Sequence, residues 1–203
     1  AKNSGGAKKA SASRGDHRET RLGAEVAEKS VEVAPATGCV RLSAPTCSDA
    51  LVLFGATGDL AHKKLFPTLQ SMVERGSLDV PVIGVAKSDW GLEQFIERCR
   101  DSLIKHGDGM NEAGEKLVSL LRYVDGDYND PHTFELLQTQ LENIRNPLHY
   151  LAIPPVLFGT VTKNLSITSS IGDSRVVVEK PFGHDLESAR KLNTILLSVF
   201  RES

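Results

Sequence analysis

Leu51-Val52-Leu53-Phe54-Gly55-Ala56-Thr57-Gly58-Asp59-Leu60-Ala61 decides how this chain is read. Four apolar residues in a row have the length of a buried strand, and the run stops at a glycine. Gly55 lets the chain turn sharply. Gly58 lets backbone approach a diphosphate, whose charge would rest on the N–H groups opening the next helix. The usual dinucleotide fingerprint spaces its first two glycines by one residue and adds a third. Here the spacing is GxxG and Ala61 stands in the third position, so position rather than pattern carries the reading. A nucleoside-triphosphate loop is excluded because no Gly-Lys-Ser/Thr follows. His62, Lys63 and Lys64 fall in the first helical turn, the unfavourable end of the helix dipole for cations, which suits a nearby anion.

Outward from this turn, short apolar runs alternate with amphipathic stretches. The periodicity predicts a helix from His62 to Arg75, with Leu65, Leu69, Met72 and Val73 on one face and Pro67 in its first turns. A strand over Val80–Ala86 follows, then a helix from Gly91 to His106. Asn111–Leu121 reads as a short helix feeding a strand at Leu121–Val124, and Asp130 as the cap of a helix from Pro131 to Asn143. Leu148–Ile153 is a strand stopped by Pro154-Pro155. A helix from Leu157 to Leu165, a buried strand over Arg175–Glu179 and a helix from Asp185 towards Phe200 complete the order. Strand–helix alternation without hairpins predicts an α/β fold, a Rossmann-like doubly wound parallel sheet with helices on both faces.

The second strand distinguishes the coenzymes. An NAD site usually ends it with Asp or Glu, which accepts from the ribose 2′-hydroxyl. Here Ile83-Gly84-Val85-Ala86 runs into Lys87 and Ser88, a cation and a hydroxyl suited to a 2′-phosphate. The expected cofactor is therefore NADP, with Asp89 capping the following helix.

Composition sets wider bounds. With 203 residues, 40% hydrophobic and 25% charged, the chain has the balance of a globular domain. A net charge of −2 gives no field to attract nucleic acid or an anionic membrane, and no apolar run nears the ~18 residues of a membrane span. Three cysteines, Cys39, Cys47 and Cys99, form no CxxC pair, which argues against a disulfide scaffold or metal knuckle and for a reducing, cytoplasmic setting. Residues 1–48 carry no aromatic residue and no steady apolar period, and are expected to form a flexible extension before a domain over 49–203. Asp16, Glu19, Glu25, Glu28 and Glu32 make this extension too acidic for an organelle transit peptide.

Three segments taken together carry a family resemblance: DALVLFGATGDLAHKKL at 49–65, YLAIPPVLF at 150–158 and RVVVEKPFGHD at 175–185. In this order they resemble glucose-6-phosphate dehydrogenase, over nearly all of residues 49–203. The resemblance implies oxidation of glucose 6-phosphate to 6-phosphogluconolactone with NADP, the entry step of the pentose phosphate pathway. It implies coenzyme contacts at Gly55, Ala56, Thr57, Gly58, Asp59, Leu60, Lys64, Lys87, Ser88 and Tyr150. Lys180 of EKPFG matches the position that touches both coenzyme and sugar phosphate. Lys87 stands where the family more often has Arg, which keeps the charge and loses a planar fork of donors. A cis Lys180–Pro181 bond is also implied, and Pro181 confines Lys180 to extended backbone.

The family's catalytic base, a His oriented by a carboxylate in a RIDHYLGKE-like motif, has no counterpart in these 203 residues. The expectation is a coenzyme domain without its catalytic and substrate domain, binding NADP without turnover, from a parent enzyme that is a homo-oligomer. A stand-alone NADP-sensing module is the alternative. Other residues read plainly: Asp125 and Asp127 as a turn around Gly126, His149 and Cys99 as packed, His132 as surface, and His62 without a role. Glu179 is open between pairing with a cation and ending a strand.

Overall fold

The computed structural model describes residues 47–167, 174–183 and 185–200. The extension expected over 1–48, apart from its last two residues, and Cys39 lie outside the described residues, as does His184. Five parallel strands form one sheet: β1 (Ala50–Phe54), β2 (Val82–Ala86), β3 (Leu121–Asp125), β4 (Pro147–Leu151) and β5 (Arg175–Val178), in the order β3-β2-β1-β4-β5. The order reverses at β1, between β2 and β4, as in doubly wound sheets. The Rossmann-like reading holds.

Alternation along β1 explains the layers. Leu51 and Leu53 face a core shared with α1 (Phe66–Glu74), α2 (Leu92–His106) and α3 (Glu112–Leu120). Ala50, Val52 and Phe54 face the opposite core, built with α4 (Pro131–Gln140), α5 (Phe158–Ile167) and α6 (Leu186–Leu197). Because both faces are covered, every residue of β1 and β2 is buried. Phe54, Phe66, Phe95 and Phe134 are fully buried, each contributing roughly 1.5–3 kcal/mol relative to exposure.

Sequence signals set most helix ends. Asn111 and Asp130 cap α3 and α4 by accepting from the backbone N–H groups of Gly114 and His132. Asp185 caps α6 by accepting from Ser188 N–H at 2.7 Å. Asp89 does not cap α2, as the sequence suggested. It sits at φ 54°, Gly91 takes the cap position, and the Gly91 N–H donates to Gln94 Oε1 at 2.9 Å.

Two further readings are corrected. The single helix expected from His62 to Arg75 begins as a π-helical turn at Ala61–Leu65, closed by Phe66 N–H donating to Ala61 O. Pro67, near the start of α1, has no N–H, and its ring would press on the carbonyl four residues back in a regular helix. The wider turn relieves that conflict. β5 is not buried: among the described residues it pairs only with β4, and Val177 is 36% exposed. An apolar run cannot distinguish a central strand from an edge.

Candidate coenzyme site

Parallel strands place all their carboxyl ends on one edge of the sheet. Along that edge, in spatial order, come Asp125, Lys87 and Ser88, Gly55, the segment after Leu151, and Glu179 and Lys180. At about 4.8 Å per strand, Lys87 and Lys180 bracket a rim of roughly 14 Å whose middle lies between β1 and β4.

Gly55 sits at φ +79°, a conformation that L side chains rarely adopt, and a Cβ there would collide with the Ala152 carbonyl oxygen. Ala152 is held against β1 by its own N–H, donated to Phe54 O at 3.1 Å. The turn is therefore pressed onto the β4 loop at a position only glycine fills. Its N–H donates to Val85 O at 3.0 Å and to Tyr128 Oη at 2.8 Å. Tyr128 Oη in turn donates to Val85 O at 2.9 Å. Burial pushes this phenol up to about 12, so it remains a neutral donor.

Gly58 closes the turn by donating its N–H to Gly55 O at 3.0 Å. The first helical bond runs from His62 N–H to Gly58 O at 3.0 Å. The amides of Asp59, Leu60 and Ala61 precede that bond and open the helix, the position at which backbone donors collect an anion. Ala56 is buried beneath the turn and Leu60 is exposed at its outer side. Thr57 Oγ1 lies 2.8 Å from Ser88 Oγ, which ties this loop to the one after β2.

The charged candidates differ in what they already hold. Lys63 pairs with Asp59 at 2.7 Å, an i,i+4 contact that pulls the Asp59 carboxyl below its usual range. Lys64 is exposed and makes no ion pair with a described residue. Lys87 Nζ lies 2.9 Å from Asp127 Oδ2, and this hydrogen bond raises the ammonium above its ordinary pKa. Ser88 N–H donates to Asp125 Oδ1 at 2.9 Å. Asp125 and Asp127 thus do more than flank a turn.

At the far end of the rim, Tyr150 Oη donates to Glu179. Burial first, and the carboxylate second, push this phenol up to about 12. The hydrogen bond decides the open reading of Glu179: its partner is a phenol. Lys180 is exposed beside it, and the Lys180–Pro181 peptide is cis. Tyr150 also lines an apolar hollow of about 200 Å³ with Leu51, Leu53, Leu65, Leu69 and Val177.

Three participants owe their roles to partners distant in sequence: Tyr128 is not singled out by the sequence reading, Asp127 reads there only as part of a turn, and His62 has no role there. Tyr128 and Asp127 come from the loop after β3. His62 is buried and bonds Asp101 Oδ2 of α2 at 2.8 Å, while Ser102 Oγ donates to His62 O, so α2 grips the turn that follows Gly58. An aromatic two residues beyond a strand-end glycine was the one available signal for Tyr128. His149, Cys99 and His132 behave as read: the first two are buried and the third is exposed. Among the described residues there is no cluster of His, Cys, Asp or Glu able to hold a metal ion, and no helix long and apolar enough to cross a membrane.

The glycine cradle, the open helix amides and the Lys87 ammonium fit a dinucleotide. Comparison with known proteins agrees. Residues 52–203 match the family model described as "Glucose-6-phosphate dehydrogenase, NAD binding domain". The chain is 38% identical over 155 residues to glucose-6-phosphate 1-dehydrogenase 1 of Mycobacterium tuberculosis, covering 76% of this chain and 33% of that protein. It is 38% identical over 164 residues to the Saccharomyces cerevisiae glucose-6-phosphate 1-dehydrogenase, covering 74% and 32%. The crystal structure of the Mycobacterium avium enzyme superposes with a TM-score of 0.71 at 41% identity, over 76% of this chain and 34% of that one. A glucose-6-phosphate dehydrogenase solved in complex with glucose 6-phosphate gives 0.69 at 32% identity, over 78% and 36%. The chain spans about a third of the length of these relatives.

Proposed function

The chain belongs to the glucose-6-phosphate dehydrogenase family, through that family's nicotinamide-coenzyme domain, and from this membership we propose that it binds NADP within an enzyme that oxidises glucose 6-phosphate to 6-phosphogluconolactone. The observation that carries the reading is the Gly55 turn, seated on Ala152 at the centre of the sheet with helix amides opening beyond it.

Each residue then has a distinct task. Gly55, Ala56, Thr57, Gly58, Asp59 and Leu60 shape a loop whose amides receive the pyrophosphate. Lys64 adds positive charge on the exposed side of the same helix. Lys87 and Ser88 meet the adenosine 2′-phosphate, with Thr57 holding Ser88 in place. Tyr150 limits the nicotinamide end and is kept protonated by its surroundings. Lys180, on the rim beside Glu179, reaches both coenzyme and sugar phosphate. A bound nicotinamide supplies the hydride acceptor. The proton of the sugar hydroxyl is assigned to no residue of this chain, and the remaining two thirds of the relatives' length is where substrate contacts and homo-oligomer contacts are proposed to lie. Cys47 and Cys99 are free thiols, which suits a cytoplasmic setting.

Calorimetric titration with NADP and NADPH tests the reading, supported by fluorescence of Trp90, the only tryptophan and two residues beyond Ser88. Saturable binding is expected. No heat from folded protein at millimolar coenzyme overturns the proposal.

A further inference from the structure

The cation expected to recognise the extra phosphate is already engaged. Asp127 Oδ2 accepts from Lys87 Nζ at 2.9 Å, and the carboxylate is built into its loop rather than swinging in solvent. Its Oδ1 accepts from the Asn129 backbone N–H at 2.8 Å and from the Asn129 side-chain amide at 2.9 Å. Its backbone oxygen accepts from Thr133 Oγ1 at 2.8 Å. The preceding Gly126 packs so closely on Thr133 that a Cβ would collide with that side chain. The Lys87 ammonium first, and the two Asn129 N–H donors second, pull the Asp127 carboxyl down to about 2, which favours its charged form.

Two other carboxylates share the corner. Asp125 Oδ1 holds Ser88 N–H at 2.9 Å and accepts from Tyr123 Oη at 3.1 Å. Asp89 lies close enough to act on the Lys87 charge. Two carboxylates, Asp127 in direct contact and Asp89 nearby, therefore act on the one ammonium, while Asp125 anchors the backbone beside it. In an NAD site the acid that reads the ribose hydroxyl ends the second strand. Here Lys87 directly follows the second strand, and the carboxylate that meets it, Asp127, comes from the loop after the third.

We propose that Asp127 is a specificity-determining residue that weakens the preference for NADP over NAD by competing with the 2′-phosphate for the Lys87 ammonium. The inference rests on the assignment of Lys87 in the proposed function. A phosphate brought to Lys87 meets a fixed like charge on the far side of the same nitrogen, whereas a ribose hydroxyl meets an acceptor. The competing possibility, that Asp127 merely orients Lys87 for phosphate, predicts the opposite sign.

The test is calorimetric binding of NADP and NAD to the full chain at one fixed ionic strength, for wild type, Asp127→Asn, Asp127→Ser, Lys87→Ala and Asp127→Asn/Lys87→Ala. Asn and Ser both retain an acceptor for the Asn129 amide, so the loop keeps its turn. Asp127→Asn is expected to tighten NADP by about five- to tenfold while NAD changes by less than about twofold, and the gain disappears without Lys87. An unchanged NADP/NAD ratio in both Asp127 variants, or weaker NADP binding, overturns the role of Asp127 alone. A wild-type chain that binds neither coenzyme, or a ratio that Lys87→Ala leaves untouched, overturns the Lys87 assignment and this inference with it.

Discussion

Thr57 Oγ1 and Ser88 Oγ, 31 residues apart in sequence, meet at 2.8 Å and tie the loop after β1 to the loop after β2. In the proposed function one loop holds a pyrophosphate and the other a 2′-phosphate, and this hydroxyl pair would then fix their separation. Thr57→Val keeps the shape and removes the bond. It is expected to cost about 1 kcal/mol of stability and to weaken NADP binding several-fold. A double-mutant cycle with Ser88→Ala, read by calorimetry, should return a coupling of roughly 0.5–1 kcal/mol; strict additivity would show the contact to be idle.

The two loop glycines are not equivalent. Gly55 combines positive φ with a collision against the Ala152 backbone, whereas a Cβ on Gly58 would lie 3.2 Å from Gly55 O with no unusual φ. Gly55→Ala is expected to lose about 2 kcal/mol or more in urea unfolding, and Gly58→Ala about 1 kcal/mol or less. Equal losses would show that the backbone at 55 relaxes.

Tyr128 braces the turn by accepting from Gly55 N–H and donating to Val85 O. Gly55 N–H also reaches Val85 O directly, so Tyr128→Phe leaves neither group without a partner. The expected cost is about 1 kcal/mol, seen as a lower urea midpoint with unchanged slope. Coenzyme affinity should fall with it, because the freed turn must be reordered on binding.

His149 is fully buried between Phe54 and Phe200, and neither ring nitrogen has a hydrogen-bond partner among the described residues. Burial lowers its pKa to about 4 from 6.5. The folded state therefore holds the ring neutral, while the unfolded chain takes up a proton below 6.5. Stability from this site is complete above that value and is lost as pH falls towards 4, by up to about 3 kcal/mol. His149→Leu should flatten the pH profile of urea unfolding in that window. A profile as steep as wild type would assign the dependence to other groups.

The fold was legible because its signals are local. Strand length, helical period and the caps at Asp130 and Asp185 each lie within a few residues of what they control. The glycine turn was legible for the same reason. What stayed hidden depends on contacts across the chain. Lys87 reads as a lone cation until β3 lies beside β2 and brings Asp127 within 2.9 Å. Val176–Val178 reads as core because composition cannot report that β5 has a neighbour on one side only. The π-turn was hidden differently: periodicity resolves a helical face but not whether Pro67 widens the preceding turn.

Among the described residues β1 is the first strand in sequence, yet it lies in the middle of the sheet, and its two neighbours follow it at very different distances along the chain. β2 is available after some thirty residues, but β4, which leads into Ala152, arrives only after almost a hundred. The seat under Gly55 is thus completed by the most distant pairing that β1 makes. An assembly intermediate with only β1, β2 and β3 joined would possess the bend and lack its floor. If the turn binds the proposed coenzyme, ligand capture would report late in maturation and distinguish a finished molecule from one that is merely collapsed.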